Sequence, residues 1–282
     1  VHVNFKNVLN STRVQIPFGI AQIGKAFRNE ITPGNFIFRS REFEQLEVQF
    51  YIKQDEEEGK KWFEYWKKNR MQWFLDLGMK KENLRFRDHE DDEKAHYAKF
   101  ATDIEYQAPW GWQEMMGIHH RGDWDLSRHQ EYSGKSLTYH DPNTGEEYLP
   151  WDIETSSGLE RPLLFILLDA YRKDEKREWL QLSPKLAPYK AAVFPLLANK
   201  PVLVDKAKEI YHNLRKSVMI SWDDRGNIGK RYAAQDEIGT PYCITVDFAT
   251  LEDDKVTVRE RDSMEQKRVP ISELNAFLLE VL

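Results

Sequence analysis

The chain has 282 residues, of which 40% are hydrophobic and 31% charged, and this length and composition fit a globular protein of two domains. The formal net charge of −6 argues against a non-specific nucleic-acid binder, but it leaves room for a local basic patch that binds one RNA. The single cysteine, Cys243, excludes a disulfide framework and a cysteine-rich zinc site and fits a reducing cytoplasm, and no apolar run is long enough to span a bilayer.

The chain begins without a methionine, at Val1, in a stretch that looks like the middle of a strand, and we interpret it as a fragment of a longer protein. Residues 21–30 and 36–51 are predicted to form paired strands around the turn "ITPGN". Aromatic residues at helical spacing then predict a helix over residues 57–77. The stretch "DHEDDEKAHYAKF" is predicted to be a short polar helix, whose His89 and His96 fit a solvated face better than a metal site.

The middle of the chain alternates strands and turns. "FATDIEYQAPWGWQEMMGI" predicts two strands around a Pro-Trp-Gly turn, and "SLTYHDPNTGEEYLPWDIE" predicts a second hairpin. "SSGLERPLLFILLDAY" is predicted to be a buried helix capped by Ser156 or Ser157, and the charged residues 172–188 are predicted to be a linker. After Pro188, strand and helix patterns alternate, which predicts a small α/β domain on a largely parallel sheet.

The first predicted hairpin carries two different faces. Phe38, Leu46, Val48 and Phe50 alternate onto one face, which is expected to pack on the core. The opposite face presents the mixed polar set Arg28, Glu30, Arg41, Phe43, Gln45 and Glu47. This face is either a solvated sheet surface or, because a ring stands among charges of both signs, a site for a zwitterionic ligand with a phosphate.

Arg161 lies in the first turn of the predicted buried helix, where a cation opposes the helix dipole. A buried guanidinium needs an anionic partner. That partner is either a carboxylate, Glu154 or Glu160, or a phosphate held jointly by Arg161 and the helix N-terminus.

Two motifs make the chain resemble a known family. "FRNE" with "FRSREFEQLE" resembles motif 2 of the class II aminoacyl-tRNA synthetases, and "SSGLERPLLF" resembles their motif 3. "VNFKNVLNSTR", "FGIAQIGKAFRNEITP", "DLSRHQEYSG" and "IETSSGLER" are similar to the dimeric glycyl-tRNA synthetases of that class. "APYKAAVFPL" and "NIGKRYAAQDEIGTPYCITVDF" resemble their anticodon-binding domain, so the resemblance covers essentially the whole chain.

The resemblance implies an α+β class II catalytic domain, with an antiparallel sheet and flanking helices, over residues 1–183. An α/β anticodon-binding domain with a mixed five-stranded sheet is expected over residues 184–282. The implied activity is that of a cytoplasmic glycine–tRNA ligase, which uses ATP, glycine, tRNA(Gly) and Mg²⁺ and forms a homodimer. The alternatives are a non-catalytic synthetase-like RNA-binding or accessory protein and an enzyme for a different amino acid.

The resemblance also assigns residue roles. It implies that Arg28 and Arg161 are catalytic, with Arg28 on the α-phosphate and substrate carboxylate and Arg161 on the γ-phosphate. ATP binding is implied for Arg28, Glu30, Arg41, Phe43, Glu105 and Arg161. Glycine binding is implied for Arg28, Glu47, Glu154 and Ser156. Glu105 and Glu114 either hold Mg²⁺ or are ordinary acids of a strand face.

The chain departs from the family pattern at three positions and by one absence. Gly34, Met116 and Thr155 stand where relatives carry other residues. Motif 1, which builds the dimer interface, and a further glycine-binding glutamate are expected upstream of Val1. We therefore expect dimerisation to depend on that upstream region.

Overall fold

The computed structural model describes residues 1–90, 93 and 98–281. The chain folds into two compact units, Val1–Ile166 and Leu167–Leu282. The domain boundary predicted between residues 183 and 184 stays a prediction. Six of the thirteen residues of the predicted polar helix, His96 among them, lie outside the described residues, and its two end residues, Asp88 and Phe100, belong to strands. No helix within the described ranges is both long and apolar enough to cross a membrane.

The first unit combines one large sheet with helices that flank it. Its helices are α1 (Phe5–Thr12), α2 (Glu56–Asp76), α3 (Trp124–Ser133) and the start of α4 (Glu160–Ala170), with short 3₁₀ helices at His2–Asn4, Phe36–Phe38 and Lys81–Asn83. Its strands are β1 (Phe18–Phe27), β2 (Glu42–Ile52), β3 (Leu84–Asp88), β4 (Phe100–Ala108), β5 (Gly111–Gly122), β6 (Tyr139–His140), β7 (Glu147–Tyr148) and β8 (Trp151–Gly158).

Six of these strands form one sheet in the order β1-β2-β8-β5-β4-β3, and each neighbouring pair is antiparallel. The prediction of an antiparallel catalytic-type sheet with flanking helices is confirmed. The order is not the chain order, because β8 is inserted between β2 and β5. This insertion places side chains from three distant segments next to one another.

Helix α2 covers one face of the sheet. The Asp55 side chain caps the helix by accepting from the backbone N–H groups of Glu57 and Glu58, which satisfies two donors that have no partner inside the helix. Phe50 of β2 packs against Trp62 and Trp66 of α2, with ring centroids 4.7 and 5.3 Å apart. Because side chains alternate along a strand, the odd-numbered residues of β2 point to the opposite face.

Three local predictions were wrong. The predicted strands extend too far into their turn, because β1 ends at Phe27 and β2 begins at Glu42. Arg28, Glu30 and Phe38 therefore lie in a connecting loop, and Phe38 does not share a strand face with Phe50. Asn35 and Phe36 adopt left-handed φ values of 51° and 56°, which breaks the strand geometry.

The prediction that Ser156 or Ser157 caps the helix was also wrong. Both serines belong to β8, which pairs with β2 as far as Gly158, so α4 begins only at Glu160. At the start of the chain the predicted strand is helical instead, because Phe5 opens α1 and packs its buried ring against Phe18 and Tyr51.

The second unit has a mixed sheet between helices. Its strands are β9 (Tyr171–Lys173), β10 (Glu178–Leu180), β11 (Ala191–Pro195), β12 (Ile220–Trp222), β13 (Tyr242–Val246), β14 (Lys255–Glu260) and β15 (Gln266–Pro270). Its helices are α5 (Pro201–Leu214), α6 (Ile228–Glu237), α7 (Thr250–Asp253) and α8 (Leu274–Val281), with a 3₁₀ helix at Ile271–Glu273.

The five-stranded sheet has the order β12-β11-β13-β14-β15, with β11 parallel to β12 and β13 and the remaining pairs antiparallel. The mixed five-stranded sheet is thus confirmed, whereas the largely parallel sheet expected from the strand–helix alternation was wrong. The predicted linker carries the β9–β10 hairpin. Side chains of α5 and α8 pack on one face of this five-stranded sheet, and those of α6 pack on the other face.

Candidate active site

A polar cleft lies on the sheet face opposite α2. Its floor consists of cross-strand rows that join β2, β8 and β5. One row pairs Glu47 with Ser156 and Ser156 with Gly117, and the next pairs Gln49 with Glu154 and Glu154 with His119. The order of strands therefore gathers polar residues that stand about 40 to 110 positions apart in the chain.

The outer part of the cleft combines a guanidinium with an aromatic ring. Arg28 follows directly after β1, and its guanidinium carbon lies 5.2 Å from the centroid of the Phe43 ring. Within the described part of the chain Arg28 has no ion-pair partner, so its charge is available to an anion. A Cβ built on Gly158 would lie 3.6 Å from the Phe43 ring, so this glycine packs closely beside it.

Glu30 and Arg41 come together behind this ring. Arg41 Nε donates to the Glu30 carbonyl oxygen at 3.0 Å, and its own carbonyl accepts from the Arg28 backbone N–H at 2.9 Å. The Glu30 side chain lines the cleft, whereas Arg41 is absent from the cleft wall among the described residues. Arg41 thus shapes the loop that carries Arg28 and Glu30.

Arg161 is fixed at the other side of the outer cleft. Its guanidinium lies 4.6 Å from the Phe38 ring centroid and donates to the Phe38 carbonyl oxygen at 3.2 Å. It also forms an ion pair with the Glu114 carboxylate at 3.1 Å. The carboxylate partner is therefore Glu114, so the expected ion pair with Glu154 or Glu160 was wrong. The Glu160 carboxylate instead accepts from the Glu44 backbone N–H at 2.9 Å.

The inner part of the cleft is organised around Glu154. Gln49 Nε2 and an Arg121 Nη1 donate to one carboxylate oxygen of Glu154, at 2.9 and 3.0 Å, and His119 Nδ1 lies 3.6 Å from the other oxygen. Burial raises the pKa of Glu154, but the contacts with His119, Arg121 and Gln49 outweigh burial and lower this pKa to about 2. Glu154 is therefore an anion at neutral pH.

Glu47 and Ser156 border this carboxylate. Burial, followed by repulsion from Glu154, raises the pKa of Glu47 above its ordinary value. Gln45 Nε2 donates to Ser156 Oγ at 2.9 Å, which fixes the serine hydroxyl at the edge of the row. Acids therefore outnumber arginines around the inner cleft, whereas the outer cleft carries Arg28 and Arg161 together with acids.

Glu105 and Glu114 face each other across β4 and β5, but they have different surroundings. Glu105 is 7% exposed, and Arg85 donates to its carboxylate at 2.7 Å. Among the described residues Glu114 lines the cleft and Glu105 does not. Carboxylate oxygens suit Mg²⁺, and both carboxylates pair with an arginine, but only Glu114 lines the cleft, so Glu114 is the better placed of the two for a metal role.

The structure thus brings Arg28, Glu30, Phe43, Glu47, Glu154, Ser156 and Arg161 around one cleft. Sequence reasoning missed Gln49, His119 and Arg121, which hold Glu154. The available signal was the alternation along β5, because Gly117, His119 and Arg121 share a face. The alternation along β5 points to Glu154 only when β8, which carries Glu154, is known to pair with β5.

Comparison with protein families matches both halves of the chain. Residues 1–171 match the model of the tRNA synthetase class II core domain (G, H, P, S and T). Residues 190–281 match the model of the anticodon binding domain.

Curated relatives match the chain along its whole length. The chain is 54% identical over 285 residues to a glycine–tRNA ligase of Geobacillus kaustophilus, covering 99% of this chain and 61% of the relative. It is 53% identical over 287 residues to that of Alkaliphilus oremlandii, covering 100% and 61%. It is 52% identical over 286 residues to that of Staphylococcus aureus, covering 99% and 61%. The chain thus spans about three fifths of the length of these relatives.

Proposed function

Since this chain belongs to the family of class II tRNA synthetase core domains, we propose that it forms the ATP and amino-acid site of a glycine–tRNA ligase. In the proposed reaction the glycine carboxylate attacks the α-phosphate of ATP, which releases pyrophosphate and leaves glycyl-adenylate. The glycyl group then passes to the terminal ribose hydroxyl of tRNA(Gly). The observation that carries the proposal is a cleft that places Arg28, which has no ion-pair partner among the described residues, and Arg161 near the Phe43 ring, with the carboxylates of Glu47 and Glu154 farther in.

The outer cleft is the proposed ATP site. Phe43 offers a ring face for adenine, and Glu30 lies beside it on the cleft wall. Arg28 would hold the α-phosphate and the glycine carboxylate, and Arg161 the γ-phosphate. Adenylyl transfer depends on positioning and charge neutralisation more than on a protein nucleophile, and two guanidinium groups supply both. ATP-binding roles for Arg41 and Glu105 stay predictions. Neither residue lines the cleft among the described residues, so the geometry gives these roles no support.

The inner cleft is the proposed glycine site. The ionised Glu154 offers a partner for the glycine ammonium, with Glu47 and Ser156 beside it. A hydrophobic pocket discriminates one methylene by only about 1–3 kcal/mol, so rejection of alanine must be steric. The acidic side chains would occupy the space that a substrate Cβ needs.

Mg²⁺ bound to the ATP phosphates would neutralise part of their charge, and Glu114 is the carboxylate placed to contribute a ligand. Mg²⁺ typically uses one or two carboxylates together with substrate phosphates and waters. The prediction that Glu105 binds Mg²⁺ together with Glu114 stays a prediction. The ion pair between Glu114 and Arg161 would have to open for Glu114 to bind the metal.

The second unit is the proposed tRNA-reading part, because residues 190–281 match an anticodon-binding domain. Bases of an anticodon loop are unstacked, so a protein can read them by hydrogen bonding and stacking. A homodimer and a cytoplasmic location complete the proposal.

The test is glycylation of tRNA(Gly) by the longest natural polypeptide that carries these residues. Arg28→Ala is expected to abolish charging while the protein stays folded by circular dichroism. Lys25→Ala is the matched control, because Lys25 is an exposed cation of β1 that pairs with Glu42 at 3.3 Å. Glycine charging that survives in Arg28→Ala at the wild-type rate would overturn the role of this residue. Binding of tRNA without binding of ATP would instead favour an accessory RNA-binding protein.

A further inference from the structure

A second polar cluster borders the inner cleft, next to Glu154. It consists of His2, Asp125 and Asp152, which we call the His–Asp–Asp cluster. His2 Nε2 lies 3.8 Å from Asp125 Oδ2 and 3.7 Å from Asp152 Oδ2. The three residues come from three different elements, the first 3₁₀ helix, the first turn of α3 and β8. The cluster therefore joins segments that are far apart in sequence.

Asp152 is the unusual member of this cluster. Its residue is 1% exposed, and neither carboxylate oxygen has a hydrogen bond of normal geometry among the described residues, the Phe50 backbone being the one main-chain group that acts on this carboxylate. A buried carboxylate without partners is costly unless a cation or a proton neutralises it. The unpaired oxygens and the His2 ring face the same small space, because the candidate ligand atoms all lie within 4.8 Å of one another.

The His2 ring suits a role as a metal ligand. Its Nδ1 lies 3.1 Å from the Tyr51 hydroxyl, and donation from Nδ1 to that oxygen leaves the Nε2 lone pair directed at the two carboxylates. Metal-binding histidines commonly have their other ring nitrogen fixed in this way.

The local charges leave room for a divalent cation. Asp125, Asp152 and Glu154 place three carboxylates around one guanidinium, that of Arg121. Arg121 donates to both oxygens of Asp125, at 2.7 and 3.0 Å, and to Glu154. Among the described residues the acids therefore outnumber the arginines around this cluster, an excess that a divalent ion would neutralise.

We propose that the His–Asp–Asp cluster binds a divalent transition-metal ion of the zinc type. One imidazole nitrogen with two carboxylate oxygens suits zinc, whereas Mg²⁺ and Ca²⁺ prefer oxygen ligands alone. Ligands about 2.1 Å from a tetrahedral ion stand about 3.4 Å apart, close to the distances seen here. The ion fastens the 3₁₀ helix that carries His2 and helix α3 to β8, beside Glu154 and at the border of the proposed glycine site.

The experiment measures binding of Zn²⁺ and Co²⁺ to the longest natural polypeptide, without ATP or Mg²⁺. Equilibrium dialysis is expected to find one equivalent of Zn²⁺ per chain, and bound Co²⁺ is expected to show the visible absorption of a tetrahedral site. Asp152→Asn keeps the side-chain shape but removes a ligand charge. We expect it to weaken Zn²⁺ binding at least about 100-fold, beyond the 10–100-fold effect of losing an outer-shell partner.

A matched pair of histidine variants provides the control. His2→Phe is expected to abolish the Co²⁺ spectrum, whereas His140→Phe removes an exposed histidine near Glu147 and is expected to leave the spectrum unchanged. Zn²⁺ is expected to raise the melting temperature of the wild type but not of Asp152→Asn, and melting without metal shows whether each variant folds. Zn²⁺ binding below one equivalent, or equal binding by wild type and Asp152→Asn, would overturn the proposal.

Discussion

Arg161→Ala removes a guanidinium that the structure holds ready at the outer cleft. The Phe38 carbonyl oxygen and the Glu114 carboxylate fix two of its sides, at 3.2 and 3.1 Å, and the Phe38 ring covers one face at 4.6 Å. The Arg161 side chain is nevertheless 22% exposed, so part of it still reaches solvent in the cleft. The Arg161 guanidinium is thus already held in place before a phosphate binds, so binding would not have to immobilise this side chain.

The expected effect follows from the hydrogen bonds that the variant loses. An arginine commonly contacts a phosphate through two parallel hydrogen bonds, and a hydrogen bond to a charged group contributes about 1.5–3 kcal/mol. The loss is therefore about 3–6 kcal/mol, which corresponds to a decrease of about 10²–10⁴ in kcat/KM for ATP. Arg161→Lys keeps the positive charge but cannot donate two parallel hydrogen bonds to one phosphate. We therefore expect an intermediate decrease in kcat/KM for ATP.

The assay is ATP–pyrophosphate exchange with glycine at saturation and ATP varied. Arg128→Ala is the control, because Arg128 is a half-exposed arginine of α3 that pairs with Glu131 at 2.8 Å outside the cleft. Circular dichroism and thermal unfolding show whether Arg161→Ala stays folded. A folded Arg161→Ala protein with less than a threefold change, or a change no larger than that of Arg128→Ala, would refute the reasoning.

Three further predictions concern other parts of the molecule. Phe43→Ala should raise KM for ATP about 5- to 150-fold without a matching change for glycine, since stacking on an aromatic ring contributes about 1–3 kcal/mol; an unchanged KM would contradict the adenine role. Glu154→Gln should raise KM for glycine far more than KM for ATP, and equal effects on both would argue against ammonium binding. Asp236→Asn should destabilise the second unit by about 3–5 kcal/mol, because Asp236 accepts a bidentate pair from the buried Arg259 at 2.8 and 2.9 Å. Hydrogen exchange of β14 measures this loss, and the exposed Asp253→Asn should change it much less.

Strand faces could be predicted from the sequence because they depend only on alternation. The mixed polar face of β2 was predicted from Phe43, Gln45 and Glu47, and the structure places all three on the cleft wall. The mixed sheet of the second unit followed from the resemblance, whereas the strand–helix alternation alone had indicated a largely parallel sheet. The face of a strand depends on periodicity, which a single sequence displays.

The loop that carries Arg28 and Glu30 could not be predicted in this way. "ITPGN" indicated a tight turn between paired strands. In the structure the left-handed residues are Asn35 and Phe36, and a bulky residue is rarely found there. Tertiary contacts of this loop, such as that of Phe38 with Arg161, set the conformation against local preference.

The partners of Glu154 could not be predicted because they depend on strand order. Gln49 stands on β2 and His119 and Arg121 on β5, and β8 brings them together only by pairing with both strands. The His–Asp–Asp cluster has the same origin, since its members are spread from the start of the chain to β8. Strand order reflects long-range packing, and no local pattern encodes it.

The measurement that tests the central claim most directly is amino-acid-dependent ATP–pyrophosphate exchange by the longest natural polypeptide, comparing glycine, alanine and serine. The account predicts exchange with glycine only, because Glu154 and its neighbours select an ammonium while leaving no room for a Cβ. Exchange with alanine or serine at the glycine rate would contradict the assigned specificity. Absence of exchange with all three amino acids would contradict the assignment of the cleft as a site of adenylate formation.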